Sequence, residues 1–354
     1  MIRVLVVDDS SFMRKSLSYI LESDSSIKVI DTASEGEEAI RKVKQLHPDV
    51  VLLDIAMPVM DGLTALAHIM TEKPTPVLVL SGVKDSKVAI KSLEQGAVDF
   101  IRKPSGVISY DIEKIKEEII YKVKGASGVN IKKLEIYAAA PHPAVSPLAR
   151  GTTPLTPPLA RGEEKGGKEI VVIGASTGGP RAVVNILSGI PRNISTGFLV
   201  VQHMASDFVP SFVERLQWVS YLDISIASEG DVIMPGKVLV ADGGSNTTIV
   251  KDKNNRLIHL DKRPSSHAVM PSIDFAMESA AREYKRDAVG VLLTGMGNDG
   301  AKGMKAIKDA GGSTIAEDES TCVVFGMPKA AIETGCVDEV LPLYKIAGAI
   351  MRFL

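Results

Sequence analysis

Along residues 1–123, short runs of β-branched and other apolar residues recur at regular intervals: IRVLVVD, IKVIDTA, DVVLLDI, PVLVLS and VDFIRKP. Between them lie stretches with apolar residues at helical spacing, such as EGEEAIRKVKQL and GLTALAHIMTE, and SYDIEKIKEEIIYKVK closes the segment. A near-continuous apolar run marks a strand buried on both faces. Five such runs alternating with amphipathic helices predict a parallel sheet covered on both sides. Residues 124–168 break this pattern. PHPAVSPLARGTTPLTPPLARGEEKGGKE is rich in Pro, Gly and Thr and repeats PLARG at 147–151 and 158–162. With almost no large apolar side chains it cannot build a core, and it is read as a linker. From residue 169 the alternation returns, with EIVVIGAS, TGFLVVQHM, KVLVAD, AVGVLLTGMG and STIAED as strands. NTTIVKDKNNRLIHLDK departs from it and predicts an antiparallel hairpin turning at Asn-Asn. The expected organisation is α/β throughout: two doubly wound parallel sheets, at 1–123 and 169–354, the second with a small hairpin.

Composition changes this picture little. The 354 residues are 45% hydrophobic and 24% charged, the balance of a globular protein with real cores. The net charge of −2 gives no electrostatic footprint for nucleic acid or for an anionic membrane. No segment has the roughly 18 consecutive apolar residues of a membrane span. MIRVLVVDDSS lacks the features of a signal peptide, and a cytoplasmic protein is expected. Cys322 and Cys336 are too far apart for a metal-type pair and read as core thiols.

Candidate chemistry gathers at strand ends. Asp8 and Asp9 end the first strand, Asp54 the third, Ser81 the fourth and Lys103 the fifth. In an open parallel sheet these ends meet at the carboxyl edge, where such folds bind ligands. Three crowded carboxylates need a cation, and hard oxygen ligands favour Mg²⁺. With the cation in place a carboxylate can attack a phosphoryl group while Lys103 and Ser81 steady its oxygens. One aspartate alone could be a helix cap; five matching residues on the ends of four strands point to a site.

In the second half, GMGNDG (295–300) matches the G-x-G-x-x-G dinucleotide fingerprint, with Glu317 and Asp318 about twenty residues on. A nucleotide-dependent enzyme is therefore one alternative. Against it, the motif sits late in its domain, and Asp299 inside the loop would repel a pyrophosphate. GASTG (174–178) matches G-x-S-x-G with Ser176 at a strand-to-helix turn, where amide groups can stabilise an oxyanion. Among the six histidines only His203 directly follows a buried strand at its carboxyl end. Asp299 lies at another such end. Ser176, His203 and Asp299 thus converge as nucleophile, general base and orienting carboxylate. A non-enzymatic regulator whose second half only binds a partner is the other alternative, although an adaptor has no need of this set.

The first segment resembles a response-regulator receiver domain of flavodoxin-like fold. That resemblance implies Asp54 as phosphoacceptor, Asp8, Asp9, Asp54 and the Ala56 carbonyl as Mg²⁺ ligands, Ser81 and Lys103 as a switch pair, and Phe100 as switch aromatic. GASTGG, QHM, LTGMGNDG and CVVFGMP, following a receiver, resemble the chemotaxis protein-glutamate methylesterase family over nearly the whole chain outside the linker. The family implies a phosphorylation-regulated hydrolase that converts glutamate methyl esters on chemoreceptors to glutamate and methanol, and deamidates receptor glutamines. It implies Ser176, His203 and Asp299 as its catalytic set, with Thr177 and the Met296 amide at the oxyanion site. A chemotaxis histidine kinase would be the phosphodonor and methyl-accepting receptors the substrate; no nucleic acid, no membrane insertion, no catalytic-domain cofactor and a monomer are expected. One departure is HAVMPSID, where Met270 stands in place of the family's usual arginine and His267 lies nearby.

Overall fold

The structure, a computed structural model, describes residues 1–82, 85–103, 111–131, 168–263 and 270–354, with 111–115 as backbone only. The linker repeats, His142 and His267 lie outside the described residues. The chain divides into two compact units, Met1–Ala139 and Ala140–Leu354.

The first unit runs β1 (Ile2–Val7), α1 (Ser11–Glu22), β2 (Ile27–Ala33), α2 (Gly36–Leu46), β3 (Val50–Asp54), α3 (Gly62–Glu72), β4 (Val77–Ser81), α4 (Ser86–Glu94), β5 (Asp99–Arg102) and α5 (Asp111–Ser127). Its sheet is parallel in the order β2-β1-β3-β4-β5. Val4–Val7, Val50–Leu53 and Val77–Leu80 are buried throughout, as strands sandwiched between helix layers must be. α2 shows how a polar segment still forms a helix here. It buries Gly36, Ala39 and Val43 along one stripe and gives the rest to charges. α5 continues to Ser127, four residues beyond the expected edge of the domain, and buries Ile119, Val123 and Ala126.

The second unit runs β6 (Ile170–Ala175), α6 (Gly179–Ser188), β7 (Gly197–Gln202), α7 (Val209–Val219), β8 (Asp223–Ile226), β9 (Lys237–Val240), β10 (Asn246–Asp252), β11 (Asn255–Asp261), α8 (Ile273–Tyr284), β12 (Ala288–Leu292), α9 (Ala301–Asp309), β13 (Ser313–Glu317), α10 (Met327–Glu333), β14 (Glu339–Leu341) and α11 (Leu343–Phe353). Seven parallel strands form one sheet, β14-β13-β12-β6-β7-β9-β8. Chain order reverses at the β12/β6 junction, which is the topological switch point of this sheet. Ile249 and Ile258 of the β10–β11 hairpin share one buried core with Ala276 and Ala280 of α8. Its two-residue turn is Lys253-Asn254, since Asp252 pairs with Asn255. That is one residue earlier than the Asn-Asn expectation, and Lys253 takes the positive φ (52°) that such turns require. Two edge strands, β8 and β14, were not anticipated; they are short and only partly buried. Among the described residues no helix is long and apolar enough to cross a membrane.

Candidate active site

Strand β6 carries the chain to Ser176, whose N–H donates to Thr294 O at 3.0 Å. The turn closes through Gly178 at φ +80°, where an added Cβ would lie 2.6 Å from Val323. Gly178, not Ser176, caps α6. The serine hydroxyl instead faces His203 Nδ1 at 3.1 Å. His203 stands one residue past β7, and its backbone N–H is fixed by Ala175 O at 3.0 Å. Its other ring nitrogen, Nε2, meets Asp299 Oδ2 at 2.9 Å. All three side chains are buried. With a carboxylate on Nε2, the proton resides there and Nδ1 is left as the acceptor toward Ser176 Oγ, the arrangement a general base needs.

Asp299 is held by more than the imidazole. Oδ1 accepts from Ser272 Oγ (3.1 Å), Asp274 N (3.0 Å) and Gly300 N (3.1 Å), and Oδ2 also accepts from Ile273 N (2.8 Å). The Ile273 and Asp274 amides belong to the first turn of α8, so a helix N-terminus points at the carboxylate. Burial pushes the Asp299 carboxyl upward. The His203 hydrogen bond and charge, with the α8 amides, outweigh it and bring the pKa to about 2. Asn246 completes the support by accepting Ser272 N–H at 2.8 Å, and Gln202 Nε2 donates to Ser176 O (2.9 Å) and His203 O (3.1 Å).

The expected oxyanion contributors lie alongside. Thr177 Oγ1 is buried with no hydrogen-bond partner among the described residues. Gly295, which precedes Met296, passes so close that an added Cβ would sit 2.7 Å from Ser176 Cβ. The CVVFGMP segment backs this loop: Gly295 bridges to Phe325, and Gly326 approaches Met296 Cα so closely that a Cβ there would be 3.0 Å away. The same contacts remove the dinucleotide reading. Asp299 fills the glycine loop from inside, and Glu317 is fully buried with Oε2 accepting Thr294 N–H at 2.9 Å. Asp318, the second acid, has its Oδ1 engaged by Ser320 N–H at 2.9 Å.

In the first unit, carboxylate oxygens of Asp8, Asp9 and Asp54 lie within 4.8 Å of one another. Asp8 Oδ1 accepts Ser10 N–H (2.9 Å) and Asp54 Oδ1 accepts Ala56 N–H (3.1 Å). Asp8 Oδ2 and Asp54 Oδ2 are buried, and among the described residues their partner is the Lys103 ammonium, at 3.0 and 2.5 Å. Burial raises the Asp54 carboxyl pKa against the pull of Lys103. Burial would strip the Lys103 proton, and Asp54 and Asp8 together hold it instead. Hard, partly unsatisfied oxygens of this kind fit Mg²⁺. Ala56, two residues past Asp54, is exposed. Ser81 is buried at the end of β4, its carbonyl accepting Lys103 N–H at 2.9 Å. Phe100 is buried on β5 with Lys122 Nζ 5.4 Å from its ring centre. Two supporting residues had no sequence signal. Arg14 Nη1 ties Asp8 O (2.7 Å) and Asp9 O (3.0 Å), and Gly62 packs where a Cβ would lie 2.0 Å from Asp54 O.

A receiver-like unit with an acidic carboxyl edge, joined to a parallel-sheet unit with a serine–histidine–aspartate array at its switch point, defines a response regulator with an enzyme-like output. Comparison with known proteins narrows this class. Residues 171–350 match the family described as CheB methylesterase, and residues 4–111 match the response regulator receiver domain. A relative from Symbiobacterium thermophilum named protein-glutamate methylesterase/protein-glutamine glutaminase is 45% identical over 99% of this chain and 96% of its own. One of the same name from Pyrococcus abyssi is 44% identical over 99% of this chain and 93% of its own. The crystal structure of the Thermotoga maritima CheB methylesterase catalytic domain is 42% identical, with a TM-score of 0.52 over 52% of this chain and 98% of that one. The chain belongs to the CheB methylesterase family.

Proposed function

We propose that the protein is a phosphorylation-regulated serine hydrolase that removes methyl esters from chemoreceptor glutamates and deamidates receptor glutamines. The carrying observation is the hydrogen-bonded line from Ser176 Oγ through His203 to Asp299. Ser176 Oγ attacks the ester carbonyl while His203 Nδ1 takes its proton. Asp299, ionised far into acid, holds Nε2–H and balances the imidazolium. The tetrahedral oxygen is received by the Thr177 and Met296 side of the turn. Nδ1–H then protonates the departing methoxide, methanol leaves, and water, deprotonated by the same nitrogen, releases glutamate. An amide follows the same path with ammonia leaving. In the first unit Asp54 accepts a phosphoryl group from a chemotaxis histidine kinase, with Ser81, Lys103 and Phe100 reading its arrival. Asp8, Asp9, Asp54 and the Ala56 carbonyl would hold Mg²⁺, which when bound would supply positive charge against the phosphoryl oxygens. Because the substrate glutamates lie on cytoplasmic receptor helices, the protein acts in the cytoplasm.

Methanol release from methylated receptors tests the reading. Ser176→Ala is expected to abolish it, and full release by that variant would refute the mechanism. A purely adaptor role is disfavoured by the buried Asp299, which has no binding task yet is saturated with donors.

A further inference from the structure

Thr294 lies two residues beyond β12 and is fully buried. Every polar group it has is engaged, and two of the bonds end on the nucleophile turn. Its carbonyl accepts Ser176 N–H at 3.0 Å, and its hydroxyl donates to Thr177 O at 2.9 Å. The hydroxyl also accepts Val324 N–H at 2.9 Å, and its own N–H donates to the buried Glu317 Oε2 at 2.9 Å. Gly295, next in the chain, donates to Val324 O at 3.0 Å and leads directly into Met296. One residue therefore joins the turn that presents the nucleophile to the loop that presents the oxyanion amide. A carboxylate from the neighbouring strand fixes that residue from behind.

We infer that Thr294, anchored by Glu317, is a positioning residue that sets the separation between the Ser176 hydroxyl and the Met296 amide. The inference rests on the catalytic reading of Ser176 above. Thr294 is fully buried, so its loss is expected to weaken the transition state rather than binding. Displacement of a reacting group by about 1 Å costs up to ~100-fold in rate.

The test is steady-state methanol release from methylated receptors by the full chain, with kcat and KM separated. Thr294→Val keeps the side-chain volume but strands Thr177 O and Val324 N. It is expected to lower kcat by ~10- to 100-fold with KM changed less than about twofold. Thr294→Ser restores kcat to within about threefold, because its hydroxyl can remake both bonds. Glu317→Gln, which keeps an acceptor oxygen, also stays within about threefold, whereas Glu317→Leu behaves like Thr294→Val. A kcat for Thr294→Val near the wild-type value, a loss carried in KM, or failure of Thr294→Ser to rescue would overturn the role. Should Thr294→Val lack native circular dichroism, Thr294→Cys decides. A fall in kcat of about fivefold or more at constant KM supports positioning, since the thiol is a weak donor, and a smaller fall overturns it. Ser176→Ala is measured in parallel. Full activity in that variant brings down the catalytic reading and this role with it; an inactive Ser176→Ala beside an unimpaired Thr294→Val brings down this role alone.

Discussion

At the carboxyl edge of the first sheet, Asp8 Oδ2 and Asp54 Oδ2 are buried and, among the described residues, answered by one ammonium group. At the same edge of the second sheet, both oxygens of Asp299 are saturated by an imidazole, a hydroxyl and three backbone amides. Both sites sit where strand order reverses, β1/β3 in one and β6/β12 in the other, because there the flanking helices diverge and leave a crevice. The topology is shared, and the electrostatic states are opposite. An incompletely neutralised carboxylate cluster suits groups that come and go, a cation and a phosphoryl group. A carboxylate whose partners are all supplied by the fold suits a charge that must stay in place through a catalytic cycle.

The largest effect expected from this contrast is on Asp299. In Asp299→Asn the amide offers one acceptor instead of two and turns an NH₂ toward groups that are themselves donors. His203 then loses the partner that keeps its proton on Nε2, and kcat should fall by ~10³- to 10⁴-fold. A fall of less than about tenfold in methanol release would mean that the saturated carboxylate is structural only. Cation dependence should separate the units next. Mg²⁺ at ~100 times its Kd should stabilise the first unit by about 2.7 kcal/mol, a shift of several degrees in its melting transition. The transition followed by Trp218, the sole tryptophan and a residue of the second unit, should not move. Asp8→Asn should remove the Mg²⁺ effect. If Mg²⁺ shifts neither transition, the acidic edge is not a cation site.

A smaller effect comes from protons. The Asp299 pKa lies at about 2 in the folded protein against 3.8 for an ordinary aspartate. A depressed carboxyl stabilises the fold above its unfolded pKa and loses that contribution as pH falls through its folded one. The window is therefore about pH 4 down to 2, and the amount roughly 2 kcal/mol. Urea unfolding followed by Trp218 at pH 6 and pH 2.5 should show Asp299→Asn losing less stability than the wild type over this interval. Equal losses would show that the donors around Asp299 do not favour its charged form.

The place of each site, though not its electrostatic state, was visible in the sequence, for a physical reason. Strands buried on both faces write continuous apolar runs, and functional side chains just beyond them must share an edge. Ser176, His203 and Asp299 could therefore be placed on one edge, and Asp8 and Asp54 on the edge of the other sheet, before any coordinates. β8 and β14 escaped because edge strands, half exposed, carry no such run; DISI and EVL look like loop. The supporting groups escaped for another reason. Ser272 reaches Asp299 across 27 residues, and Thr294 reaches Thr177 across 117. A serine or threonine looks the same in sequence whether it faces water or a buried carboxylate. Nor does spacing say which imidazole nitrogen faces the serine.

The gentlest test compares two serines in matching places. Ser10 caps α1, its Oγ accepting Met13 N–H at 3.3 Å, and its own N–H serves Asp8. Ser272 caps α8, its Oγ accepting Phe275 N–H at 3.5 Å, and its hydroxyl serves Asp299. Replacing either by alanine removes a cap, worth about 0.5–2 kcal/mol. Ser10→Ala leaves the bond to Asp8 intact, since that bond comes from the backbone, and should cost only the cap. Ser272→Ala also takes a donor from a buried carboxylate, at about 1 kcal/mol or more, and should lower kcat severalfold with it. If the two substitutions destabilise their units equally and activity is untouched, the fifth donor on Asp299 is redundant. The saturation of the second site would then exceed what its charge requires. A larger loss at Ser272, with kcat falling in step, would show that the carboxylate depends on each of its partners.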